Sequence, residues 1–177
     1  MNQIIKTKGI NFGLCYGFYL ILILLYAYAI DQNFFTSYWM MGLSILGFFV
    51  HGFWVIGSTK KAQNGYITFK QAFTVFFISN AIGFLLSTIM TILLFVVIDP
   101  ELQNTLKELT INKTTEMMEG FEISADEIDK AVDQIREQDN YSVGAQLKAY
   151  FYTLIFASIF GLLFSLILKK NKEEDQY

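Results

Sequence analysis

Residues 71–98 read QAFTVFFISNAIGFLLSTIMTILLFVVI, 28 positions without one Asp, Glu, Lys or Arg. A hydrocarbon layer of ~30 Å needs about 20 apolar residues at 1.5 Å each. Three more uncharged stretches qualify: Ile10 to Ile30, Phe35 to Gly57 and Ala149 to Leu168, of 21, 23 and 20 residues. Helices buried in soluble proteins rarely stay uncharged for so long. The composition agrees, with 54% hydrophobic, 17% aromatic and only 16% charged residues in 177. Soluble domains are nearer a quarter charged. The sequence predicts an all-α polytopic membrane protein. It is one membrane domain over 1–177, with spans at about 10–30, 35–57, 71–98 and 149–168. An acidic helical hairpin over 99–147 stands between the third and fourth spans.

The charges orient the spans. Lys6 and Lys8 precede the first, Lys60, Lys61 and Lys70 lie between the second and third, and Lys169, Lys170 and Lys172 follow the fourth. Cytoplasmic flanks accumulate Lys and Arg. Both termini and the second loop are therefore expected in the cytoplasm, and residues 99–147 outside, with Lys148 the one dissenting charge. The first span also has the basic flank of a signal peptide, and Ala27-Tyr28-Ala29 resembles a cleavage site. Its apolar run exceeds the roughly 7–15 residues of a signal core, so retention is expected.

Helix punctuation is legible at several points. Thr68 with Gln71 reads as a capping box opening the third span. Asp99-Pro100-Glu101 reads as the start of a helix from Pro100 to about Glu119, with Gly120 as its stop. Ser124 with Glu127 reads as a second capping box. The helix behind it carries Ile128, Ala131, Val132 and Ile135 on one face. Leu102, Leu106 and Leu109 are expected to pack against Ile128, Val132 and Ile135. The segment from Asp99 to Leu147 holds twelve acids and four bases, as suits a solvated outer hairpin. It has no Asp-x-Asp-x-Asp-Gly calcium loop.

Within the spans, small residues recur four apart: Gly9, Gly13 and Gly17; Ser79, Gly83 and Ser87; Ala157, Gly161 and Ser165. Such rows let helix backbones approach closely. His51 and Asn80 are the polar positions of interest. They lie roughly 9 and 15 Å in from the basic end, at 1.5 Å per residue. Polar groups at such depth face the bundle. Cys15, the sole cysteine, lies at a depth similar to His51 and reads as a small hydrophobe rather than a nucleophile. One His and one Cys exclude a two-His metal site within one chain. No phosphate-binding Gly loop, zincin motif or Gly-x-Ser-x-Gly elbow occurs. The single Arg, Arg136, lies outside the spans, so an Arg-rich voltage sensor is excluded.

Gly65-Tyr66-Ile67-Thr68-Phe69-Lys70-Gln71-Ala72-Phe73 and Ile98-Asp99-Pro100-Glu101-Leu102 flank the third span. With Ser124-Ala125-Asp126-Glu127-Ile128 and the closing Lys169-Lys170, they resemble the bacterial integral-membrane proteins of domain-of-unknown-function family 4199. The resemblance implies a bacterial inner membrane and a periplasmic hairpin, and it implies no activity. The expected function is that of a non-catalytic membrane packing or assembly partner, without cofactor, metal or nucleic acid. Its expected partners are the lipid bilayer and either further copies or another membrane protein. The competing reading is a small oligomeric transporter or channel with a polar path past His51 and Asn80.

Overall fold

The computed structural model describes residues 2–172. Six helices follow in order: α1 (Gln3–Ala29), α2 (Tyr38–Ala62), α3 (Phe69–Ile92), α4 (Leu102–Gly120), α5 (Ala125–Glu137) and α6 (Val143–Leu168). A 3-10 turn, Gln32–Thr36, joins α1 to α2, and α3 continues through a π turn, Leu93–Ile98. Four of these helices are long and apolar enough to cross a membrane: α1, α2, α3 with its π turn, and α6. Among the described residues the chain is helical without strands, apart from one isolated bridge between Ile67 and Lys170.

Each long helix extends past its uncharged stretch. α1 begins at Gln3, capped by the Asn2 side chain on the Ile4 amide at 3.0 Å. α2 runs to Ala62 and α6 starts at Val143. Hydropathy marks the hydrocarbon edge, whereas a helix continues into the headgroup layer wherever long Lys side chains can reach water. The Thr68 capping box forms in both directions, Gln71 N to Thr68 Oγ1 at 3.3 Å and Thr68 N to Gln71 Oε1 at 3.0 Å.

α3 is the hub of the bundle, in contact with α1, α2 and α6. The α1 glycines make the closest approach. A Cβ on Gly13 would lie 2.8 Å from the Ser79 carbonyl oxygen, and one on Gly17 would lie 3.2 Å from that of Gly83. A Cβ on Gly161 of α6 would lie 2.7 Å from Phe76 Cδ1 of α3. Two cores result. Ile5, Val55, Ile56, Val75, Phe76 and Phe164 fill the end that carries the chain termini. Leu24, Leu94, Phe95, Leu102 and Leu106 fill the other.

The second core corrects the expected hairpin contact. Leu102 and Leu106 of α4, with Leu109 beside them, pack onto the ends of α1 and α3, while Ile128, Val132 and Ile135 of α5 are only half-buried. α4 and α5 still touch, and Lys107 Nζ donates to the Arg136 carbonyl at 3.1 Å, but no α5 residue is buried. The bundle end offers a larger apolar surface than one short amphipathic helix can, so it takes the leucine face.

Two helix signals also act differently than expected. Gly120 is inside α4, and the left-handed residue that ends the helix is Glu122, at φ 57°. Ile123 N bonds Met118 O at 3.0 Å, the six-to-one bond of a Schellman motif. Ser124 starts α5 without a side-chain capping bond, so the expected second capping box is absent. Asp99 accepts the Leu102 amide at 3.2 Å, but α4 starts at Leu102 and not at Pro100, with Glu101 at the cap position.

The helix directions sort the charges. The end holding the start of α1, the α2–α3 loop and the end of α6 carries Lys6, Lys8, Lys60, Lys61, Lys70, Lys169, Lys170 and Lys172, and no acid among the described residues. This basic end is stapled. Ile67 and Lys170 exchange both backbone bonds at 2.9 Å, and Lys60 Nζ donates to the Leu168 carbonyl at 2.9 Å. The Leu168 carbonyl is one of the orphan acceptors at the end of α6, so the lysine satisfies it.

Candidate functional site

His51 sits on α2 where that helix meets α1 and α3. Gly52 beside it lets α2 come close, since a Cβ there would lie 2.9 Å from Phe164 and 3.0 Å from Phe76. The His51 ring is 5% exposed and stacks on the Tyr16 ring of α1, with centroids 4.3 Å apart and planes within 8°. Its Nε2 is 2.8 Å from the Ser79 hydroxyl of α3. Which of the two donates depends on the imidazole tautomer. Phe12 closes another side at 6.5 Å and meets Trp54 edge-on at 5.1 Å.

Asn80 is also buried, at 1% exposure, but it does not bond His51. Its Nδ2 donates to the Phe76 carbonyl one turn earlier at 2.9 Å, and its Oδ1 has no partner among the described residues. The adjacent residue, Ser79, is the one that bonds His51. Successive residues on a helix differ by about 100° in direction. Ser79 lies in the row with Gly83 that faces α1, so the hydroxyl, and not the amide, reaches the imidazole. The signal was present in the sequence, because the small-residue row and the histidine partner share one position.

The small residues are consumed inside the chain. Gly9, Gly13 and Gly17 abut α3, with a Cβ on Gly9 reaching to within 2.9 Å of Ile78. A Cβ on Gly83 would lie 2.7 Å from Tyr16. Ala157, Gly161 and Ser165 are buried, and Ser165 Oγ donates to the Gly161 carbonyl at 2.6 Å. Ser87 is half-buried, and its carbonyl accepts the Thr91 hydroxyl at 2.9 Å.

A serine at 2.8 Å from an imidazole has the spacing of a nucleophile and its base. Here Ser79 is 0% exposed, and the cavity that Tyr16 lines does not include it in its walls. That cavity, of about 310 Å³, is apolar and lies between α2 and α6, floored by Tyr16, Leu20 and Phe84. Cys15 is exposed on the outer surface of α1, while its neighbour Tyr16 points inward, so the cysteine is no partner for His51. No group of three His, Cys, Asp or Glu side chains able to hold a metal occurs among the described residues. The arrangement can hold three helices in register through one hydrogen bond and one ring stack.

Searches of curated proteins and of solved structures gave no match to the chain. The sequence profile of one family, described as Protein of unknown function (DUF4199), matches residues 11–170. That match covers α1 from residue 11 and α2 to α6 whole, so the chain belongs to the DUF4199 family.

Proposed function

We propose that the protein is a non-catalytic integral membrane protein that acts as a packing or assembly partner, with its α4–α5 segment as the contact surface. The supporting observation is the burial of His51 between Tyr16 and Ser79. A path for protons or solutes needs polar groups converging on a wet cavity. The histidine is instead stacked on Tyr16 and bonded to Ser79, beside a cavity lined by carbon.

In this reading the basic end faces the cytoplasm and residues 99–147 face outward, as the lysine distribution favours. The membrane is then the inner membrane of a bacterium. α5 suits contact with a partner because it has no buried residue and carries Asp126, Glu127, Asp129, Asp133 and Glu137 outward. The test pairs reconstitution with capture. Purified protein in vesicles should show no pH-dependent flux, and intact protein taken from its native membrane should retain a stoichiometric partner. It should lose that partner when α5 is made neutral. Flux that His51→Leu abolishes would replace this reading with the transporter.

A further inference from the structure

The outward face of α2 carries a shallow, open apolar groove with a lysine at one end. Phe49, Phe53, Gly57 and Lys61 follow one another at four-residue spacing, flanked by Val50, Trp54 and Ser58. Together they line a groove of about 730 Å³. Gly57 forms its notch, since a Cβ there would meet nothing within 4 Å. Phe53 and Trp54 are 45% and 61% exposed, which makes its walls broad, rigid and aromatic. At the basic end Lys61 is exposed and has no hydrogen-bond or ion-pair partner among the described residues. Lys8 reaches across from α1 to bond the Ser58 hydroxyl at 3.2 Å.

The dimensions select the occupant. From Lys61 to Phe49 is twelve residues, or about 18 Å along the helix. That is close to one leaflet, half of a ~30 Å hydrocarbon layer. Phe49 is also a wall of the apolar cleft between α2 and α6, so the two spaces meet at that residue. A cationic and hydroxyl-bearing end above an apolar helix face about one leaflet long is complementary to an amphiphile with an anionic head. Among the described residues all eight charges at this end are positive, which favours an anion there. A helix from another protein would leave Lys61 unmatched unless it brought an acid to the same depth.

We propose that this face binds one anionic phospholipid, its phosphate at Lys61 and Ser58 and an acyl chain along Phe53 and Phe49 into the α2–α6 cleft. The site is independent of which side the basic end occupies, because a symmetric bilayer presents the same lipid to both.

Trp54 is the natural reporter. The full chain carrying Trp39→Phe keeps Trp54 as its only tryptophan. It is reconstituted with phosphatidylglycerol or phosphatidylcholine brominated on the acyl chains. Quenching of Trp54 should favour the anionic lipid by about fivefold, as expected for a lysine near a charged surface. Lys61→Gln should bring the ratio to near one, and Lys61→Arg should keep it. Gly57→Leu, at a position where an added Cβ meets nothing within 4 Å, should weaken quenching by the anionic lipid while helicity and elution stay unchanged. Equal quenching by the two lipids, or a preference that survives Lys61→Gln, would overturn the site.

Discussion

His51 and Ser79 share one hydrogen bond inside an apolar bundle, and the energetics of such bonds set what each substitution does. Interhelical hydrogen bonds in membranes average about 0.6 kcal/mol, with a maximum near 1.7. His51→Leu should therefore lower stability by roughly that range, and the same change in a Ser79→Ala background should cost less, since the partner is already gone. A coupling near zero in that double-mutant cycle, read from unfolding in mild detergent, would contradict the bond. Glu122 offers a change of opposite sign. At φ 57° it carries a side chain where left-handed backbone costs roughly 1–2 kcal/mol, and glycine does not meet that cost. Glycine also loses more chain entropy on folding, so Glu122→Gly should stabilise by a net of about 0.5 kcal/mol, visible as a raised melting temperature. Neither detail was fully legible from sequence. The pattern located His51 and the polar face of α3. A linear depth count could not separate Ser79 from Asn80, because they differ by direction and not by depth. Gly120 drew the helix end toward itself because glycine is the usual left-handed residue, while the fold placed that conformation two residues later.

At the scale of elements, capping and close packing carry the testable content. Thr68→Ala removes a two-way cap and should cost about 1 kcal/mol, with faster amide exchange over the first turn of α3. Gly13→Ala should cost about 1–3 kcal/mol, because its Cβ would press on a backbone carbonyl that cannot rotate away. Between α5 and α6, Asp139 accepts the amides of Tyr141 and Ser142 at 3.3 and 3.0 Å. Bonds from the Ser142 side chain, and then from its amide, hold the Asp139 carboxyl below its ordinary range. A depressed folded value means that the contribution is present above the unfolded value of about 3.9 and is lost as pH falls through the folded one. Exchange protection at Ser142 should thus be flat down to about pH 4 and fall below it. A loss already complete near pH 6 would contradict this. The four long helices and the Thr68 cap were legible because uncharged length and local capping chemistry need no tertiary information. The docking of α4 was not, because its leucines fit any apolar surface, and only the assembled bundle end shows which is larger.

For the whole molecule the prediction is one of sidedness. Lys61→Cys and Asp126→Cys, each in a Cys15→Ala background, should label from opposite faces with an impermeant thiol reagent. Labelling of position 61 from outside intact cells would invert the assignment.

The hub position of α3 has a consequence for how the protein is made. Its face toward α6 includes Phe73 and Phe76, which the Gly161 backbone covers, and Ala81, whose carbonyl accepts the Tyr150 hydroxyl at 3.3 Å. Yet α6 comes last, 44 residues after the π turn ends. At synthesis rates of about 5–20 residues per second, roughly 2–9 s separate the end of the π turn from the start of α6, and the face stays uncovered at least that long. Only then can Lys170 meet Ile67 and close the staple across the basic end. The first three spans are therefore a nascent intermediate with an uncovered flank, and a ribosome stalled before Val143 should hold them in a form that membrane proteases cleave.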